Sequence, residues 1–403
     1  MYSDKGIERR QAALEKSLGV KLVRYEPSFI EALVARLDEI LDPKGNPTRA
    51  LTLEEQAFIT NERRLVKIDF HHWSRNYLYC IRDQGGLGKM DFWESQLILL
   101  RLIAKLEEEM IERIDRKEPV DGILVALHKD RQLGATAVVR ALCMHRQITT
   151  EHSRAIAASL DDDKILEMYD RDKIILDNIP WWLRPEIGFD EKAEHLFFEH
   201  LKSRIIYQTG NQKFGVGQGR QFDLGHLTEI ASWPNPLTIE HDYFPTIPQS
   251  QLALHVLETT AQGRGDWWNR FVNKVRKGIA QRWKFLFIPW YVEDAKYNRL
   301  PPEGWVPTDL AMKYAQHVYE TSPEFCNGKA VMLSRSKLYW WQTTRDEYQA
   351  SNALNIFFSN YAATPEESFQ HSTRSAFGYE TLENLRLGAK AGEAYQITIE
   401  DAA

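Results

Sequence analysis

Cysteine is scarce: the 403-residue chain has three, Cys80, Cys143 and Cys326, far apart and without a CxxC pair. That pattern excludes a zinc ribbon and a disulfide framework, and it predicts reduced core thiols. Long apolar runs are missing, so no stretch can span a bilayer, and the charged opening from Met1 to Val20 has no apolar signal core. An excess of positive charge is missing too. The formal net charge of −6 argues against a protein that coats nucleic acid with its whole surface, though it leaves room for a local basic stripe. Internal repeats and low-complexity linkers are absent. What remains is the composition of a folded chain, 43% hydrophobic and 27% charged. Its length predicts two or three modules.

Residues 1 to about 88 read as helical and end in the turn from Gly85 to Gly88. A long helix follows from Phe92 to roughly Arg116, with Leu97, Leu100, Ile103 and Leu106 at helical spacing. From residue 122 short apolar runs alternate with amphipathic stretches, at 122–127, 154–158, 204–208, 224–230, 252–258 and 284–290. Strands alternating with helices predict an α/β fold, a mostly parallel sheet with helices on both faces. Beyond Tyr291 proline and aromatics are more frequent, with helices expected over 309–320 and 334–349. The chain thus divides into an N-terminal helical region (1–88), a core (89–291) and a smaller C-terminal module (292–403).

The strongest local signal runs from Leu127 to Thr136, after a predicted strand and before a predicted helix. A phosphate loop reads GxxxxGK[ST]: its backbone N–H groups wrap phosphates, its lysine neutralises them and its hydroxyl reaches Mg²⁺. Gly134 and Thr136 hold the last glycine and the hydroxyl position, but Ala135 stands where the lysine belongs and Lys129 where the first glycine belongs. The long, flexible stem of Lys129 could bring its ammonium to the same phosphates. An ordinary strand-turn-helix with a capping threonine fits these residues equally well.

An ATPase also needs a carboxylate at the end of a neighbouring strand, to orient or deprotonate the attacking water. The run from Asp223 to Trp233 offers Glu229, with Thr228 in place of the usual aspartate. Thr228 could hold Mg²⁺ only through its hydroxyl or a water. Glu229 also fits a surface acid at a strand end. A third block, Leu257 to Gly265, follows another apolar strand and carries the hydroxyls of Thr259 and Thr260. Hydroxyls there can bond both a catalytic water and a neighbouring loop, which would link hydrolysis to motion; a plain strand-to-loop turn fits too.

In this order the three blocks resemble the ATPase portion of tailed-phage large terminases, the motors that package viral DNA. The first resembles their variant loop KxRQxGxS/T, the second their acidic strand with S/T-E, the third their coupling block ESTANGxG. The resemblance runs from about residue 70 to 377 and implies a phosphate-loop NTPase core followed by a lid or linker module. It implies ATP bound by Gln96, Lys129, Asp130, Arg131, Gln132, Leu133, Gly134, Ala135 and Thr136. Gln96 would read the base edge. Lys129, Arg131 and Glu229 would be catalytic, Thr259 and Thr260 would couple, and Mg²⁺ would sit at Thr136 and Thr228. Implied partners are double-stranded DNA, a portal protein or procapsid, a small terminase subunit and further copies in a homo-oligomeric ring. No membrane is involved, and the setting is the cytoplasm of an infected bacterial host.

Arg220, just ahead of the acidic strand, is a candidate arginine for a neighbouring subunit's ATP, and a salt-bridging surface role fits it as well. The stretch 267–282 is predicted helical, with Trp268, Val272, Val275 and Ile279 on one face. Large terminases also carry a nuclease domain, which needs clustered carboxylates on adjacent strands. The tail from Gly378, with Glu380, Glu383, Glu393, Glu400 and Asp401, is too short for such a sheet, so no nuclease activity is expected of this chain. Two rival readings stay open: a host helicase-like nucleic-acid ATPase, and a degenerate nucleotide fold that binds portal or capsid without catalysis.

Overall fold

The computed structural model describes residues 1–83, 85–188, 195–210, 215–263, 266–294 and 296–369. Four helices open the chain: α1 (Asp4–Leu18), α2 (Pro27–Asp38), α3 (Leu53–Ile68) and α4 (Phe70–Tyr77). Their ends follow local chemistry. The Ser3 hydroxyl caps α1 by accepting from the Gly6 N–H, and Gly19 closes it in the left-handed region at φ 65°. Thr52 and Glu55 cap α3 reciprocally. The glycine turn expected to end this helical region instead joins a hairpin, β1 (Tyr79–Ile81) against β2 (Leu87–Lys89), with Gly85 and Gly86 at φ 84° and 81°. The long amphipathic helix α5 follows at Glu94–Asp115.

The remaining elements are β3 (Ile123–Lys129), α6 (Ala135–Thr149), β4 (Arg154–Ser159), α7 (Asp162–Asp177), β5 (Ile187–Gly188), β6 (His195–Phe198), β7 (Ser203–Thr209), β8 (Leu224–Thr228), β9 (Leu254–Thr259), α8 (Trp267–Arg276), β10 (Trp283–Ile288), α9 (Asp309–Phe325), α10 (Arg335–Ala350), α11 (Leu354–Asn360) and α12 (Pro365–Phe369). One sheet has the order β10-β3-β9-β8-β4-β7-β6-β5, parallel from β10 to β7 and antiparallel at β6 and β5. The mostly parallel α/β sheet expected from the apolar runs is therefore present. The antiparallel edge was not anticipated. The strand expected over 224–230 stops at Thr228, and the helix expected over 267–282 stops at Arg276. That leaves Ile279 exposed beyond the helix end rather than on its apolar face.

Alternation along β3 shows why a nearly continuous apolar run is needed. Ile123, Val125 and Leu127 enter the cluster on one sheet face, Leu124 and Ala126 the cluster on the other. The first cluster reaches from Tyr2 through α3, α5, α6 and α7 to Trp341 and Phe358, so N-terminal and C-terminal helices share a core with the sheet. Each large side chain buried there stabilises by about 1.5–3 kcal/mol. Trp73, Trp182, Trp268, Trp290 and Trp341 are among the largest fully buried side chains, which makes them core residues rather than exposed stacking platforms. Among the described residues no helix is long and apolar enough to cross a membrane.

Candidate functional site

All the parallel strands end on one side of the sheet, and the loops leaving β3, β4 and β8 open there onto a cleft of about 1120 Å³. The β3–α6 loop forms its floor. Gln132 at φ 54° and Gly134 at φ 68° turn the chain sharply, so that α6 begins at Ala135 facing the cleft. The leading N–H groups of a helix have no partner within it, and with the helix dipole they favour an anion. Lys129, Gln132, Leu133, Gly134, Ala135 and Thr136 all line the cleft.

Neighbouring segments hold this loop rigidly. Gln96 Oε1 accepts from the Trp93 N–H at 3.0 Å while its Nε2 donates to the Gly134 carbonyl at 2.9 Å. Gln96 thus lines the cleft with both polar ends occupied by protein. The Ser95 hydroxyl lies 2.9 Å from the Leu133 carbonyl and 3.0 Å from Glu293. Asp130 is fully buried; its carboxyl accepts from the Trp290 N–H at 2.8 Å and the Ala362 N–H at 3.3 Å. Burial raises its pKa well above the usual carboxylate range, against the lowering effect of those two N–H groups. The Asp130 side chain therefore anchors the loop to the C-terminal segment and is not part of the cleft wall. Arg131 is exposed and lies outside the cleft lining, with its carbonyl accepting from the Tyr297 hydroxyl.

From β8 the cleft receives Thr228 and Glu229. Glu229 leaves the strand in the left-handed region at φ 58°, a conformation that costs a non-glycine residue and occurs preferentially at functional sites. The turn it opens is tied to β9: the Ala231 N–H donates to the Thr259 hydroxyl at 3.3 Å, and Gln262 donates to Ser232 at 2.9 Å. Thr259 thus links its strand end to the Glu229 turn, while Thr260 contributes its carbonyl to the Thr259 hydroxyl at 3.0 Å. Of the coupling block, 264 and 265 lie outside the described residues, as does the acid-bearing tail at 370–403. Arg220 stands at the other end of the sheet. It precedes Asp223, whose N–H bonds the carbonyl of Arg154, the first residue of β4, and it is not in the cleft.

Two residues without an assigned role prove close to the loop. Lys296 reaches in from the C-terminal segment, donates to the Gln132 carbonyl at 3.1 Å, pairs with Asp83 at 2.7 Å and lies 4.2 Å from the Trp93 ring centroid. Glu258 on β9 is fully buried and accepts from the Thr136 hydroxyl at 2.5 Å. Burial would raise its pKa, but the Lys129 charge, His226 and Thr136 together hold it down to about 2. A carboxylate inside the apolar run 252–258 was the available signal, because a strand buried on both faces carries a charge only where it is compensated.

The oxygen donors at Thr136, Thr228 and Glu229 suit a hard cation such as Mg²⁺, and the unpartnered Oε2 of buried Glu258 fits the same chemistry. Among the described residues no cluster of three or more His, Cys, Asp or Glu could hold a metal by itself.

Strand order, the β3–α6 loop and a cleft at the strand ends together define a mostly parallel α/β fold with its candidate site at the ends of the strands. No family model matches the chain, and no curated protein matches it significantly. Among solved structures it is similar to phage large terminases. The large terminase of bacteriophage HK97 aligns over 83% of this chain and 55% of its own, with 10% identity and a TM-score of 0.42. The ATPase domain of the Thermus phage P74-26 large terminase aligns over 59% and 87%, with 11% identity and a TM-score of 0.38. The large terminase of a thermophilic bacteriophage, in complex with ATP-γ-S, aligns over 59% and 52%, with 13% identity and a TM-score of 0.35. The chain therefore spans about half the length of the first and last of these.

Proposed function

We propose that this chain is the ATPase motor of a tailed-phage large terminase, hydrolysing ATP to drive double-stranded viral DNA into a procapsid. The observation that carries the ATPase reading is the convergence of Lys129 and Thr136, which flank the β3–α6 loop, with Glu229, which follows β8, on one cleft at the ends of parallel strands. The terminase reading rests on the lysine at the front of the loop, the Thr228-Glu229 pair and the coupling block at Thr259 and Thr260.

ATP would lie with its phosphates on the N–H groups from Gln132 to Thr136 and its base toward Trp93 and Gln96. Mg²⁺ bound with the nucleotide, at Thr136 and Thr228, would supply positive charge beside the β and γ oxygens. Glu229 takes a proton from the attacking water. The water oxygen bonds the γ phosphorus as the bond to the bridging oxygen breaks, giving ADP and phosphate. Lys129 offsets the charge that develops, with Arg131 as a second cation from its exposed place beside the loop. The Thr259–Ala231 bond then lets the coupling strand respond to the Glu229 turn. In the working motor, copies would form a ring on the portal, with the small terminase subunit, and Arg220 would be offered across subunits.

The test is ATP hydrolysis by the chain alone, then with DNA, procapsids and the small subunit. Stimulated hydrolysis that falls at least about 100-fold in Glu229→Gln is expected. Hydrolysis indifferent to DNA and procapsids would refute the motor, and none under any condition would leave a non-catalytic nucleotide fold.

A further inference from the structure

Position 228, at the end of the acidic strand, is a threonine, so β8 brings no aspartate to the cation position. Its neighbour in the sheet does bring a carboxylate. β9 lies between β3 and β8, and Glu258 is in register with Thr228 on one side and Leu127 on the other. From there Glu258 Oε1 accepts the proton of the Thr136 hydroxyl at 2.5 Å, while its Oε2 is buried without any hydrogen-bond partner.

A hydroxyl has one proton and two lone pairs. With the Thr136 proton committed to Glu258 beneath it, both lone pairs are free for the cleft that Thr136 lines. We infer that Glu258 is the positioning residue of the nucleotide-linked divalent cation site: it orients the Thr136 oxygen toward the cation and supplies, from the neighbouring strand, the negative charge that Thr228 lacks. This rests on the nucleotide-binding reading above. It follows that the cation site and the Thr259 coupling contact sit on consecutive residues of one strand, so cation occupancy and the Glu229 turn are mechanically joined. Burial of a carboxylate is costly, and a cation bound at Thr136 would add to the compensation that the Lys129 charge and His226, whose Nε2 lies 3.2 Å from Glu258 Oε1, already give.

The test is a Mn²⁺ titration followed by electron paramagnetic resonance with ADP present, alongside ADP titration in EDTA. Glu258→Gln keeps the size and an acceptor for Thr136 but removes the charge. It is expected to weaken Mn²⁺ binding at least tenfold while ADP affinity in EDTA stays within twofold. Adding Thr228→Asp to Glu258→Gln returns a carboxylate to the adjacent register position and should recover most of the Mn²⁺ affinity. A merely structural Glu258 would not be rescued in this way. Unchanged Mn²⁺ affinity in Glu258→Gln, or equal loss of Mn²⁺ and metal-free ADP binding with no rescue, overturns the inference. If the parental chain binds no ADP at all, the nucleotide reading itself fails, and the two failures are distinguishable.

Discussion

Replacing Gly134 with alanine probes how tightly the phosphate loop is built. Gly134 opens α6 at φ 68° and ψ 13°, a left-handed conformation that costs an L side chain ~1–2 kcal/mol. An added Cβ would also lie 2.5 Å from Gln96 Nε2 and 3.1 Å from the Trp93 ring. Displacing Gln96 breaks its bond to the Gly134 carbonyl, a further loss of about 1 kcal/mol. The sum is a destabilisation of about 2–3 kcal/mol. Gly278 supplies an internal control, since its φ is 69° and an added Cβ there meets nothing within 4 Å. Gly278→Ala carries the backbone cost alone, and both substitutions restrict the unfolded chain alike. The difference between them, about 1 kcal/mol or more, therefore isolates the Gln96 and Trp93 contacts. Urea unfolding of the two variants measures it, and ADP titration should show weaker binding only in Gly134→Ala. Adding Gln96→Ala to Gly134→Ala should be non-additive by about 1 kcal/mol, because the clash is already gone. Equal destabilisation by the two glycine variants, or strict additivity with Gln96→Ala, would refute the reasoning.

Arg140 and Asp172 are both fully buried and paired, with the Tyr207 hydroxyl donating to the same carboxylate; Arg140→Met should cost about 3–5 kcal/mol in chemical denaturation, and Asp172→Leu in the same chain should recover much of it. A double variant no more stable than Arg140→Met contradicts this. Asp130→Ala strands the Trp290 and Ala362 N–H groups, so unfolding should come about 2–4 kcal/mol earlier, with Asp130→Asn milder because one acceptor remains. Burial pushes His128 and His255 down to about 3 and His145 down to about 4. Each is neutral when folded but takes up a proton near pH 6.5 when unfolded, so its stabilisation is full above that pH and is lost as pH falls toward the folded value. Each contributes a slope of about 1.4 kcal/mol per pH unit. His255→Gln should flatten the stability profile between about pH 6 and 4 by that amount, and an unchanged slope would show that His255 is protonated in the folded chain.

Much of the fold was legible because its signals are local. The runs at 122–127, 154–158 and 252–258 are strands since only a sheet covered on both faces buries such residues continuously. The spacing of Lys129, Gly134 and Thr136 around one strand-to-helix turn is likewise a property of ten consecutive residues. Less was legible where a partner had to be known. The strand His195–Phe198 is too short to declare itself without β7 beside it, and the glycine turn at 85–88 became a hairpin because Tyr79–Ile81 could pair across it. Asp130 belongs to the loop in sequence, yet its burial against Trp290 and Ala362 turns its carboxylate away from the cleft.

By itself the sequence determined the parallel strands and the longer amphipathic helices, since side-chain periodicity and capping act within a few residues. It also marked Glu229 as an acid at a strand end. The tertiary structure decided who meets whom. Only the order β3-β9-β8 places Glu258 beneath Thr136, which is 122 residues away in the chain, and only the packing of the C-terminal segment brings Lys296 onto Trp93 and the Gln132 carbonyl. Strand order is set by the burial of whole sheet faces and by the crossover helices that cover them, a balance summed over the entire core. No local pattern carries that sum, so contacts made across strands stay hidden until the chain is folded.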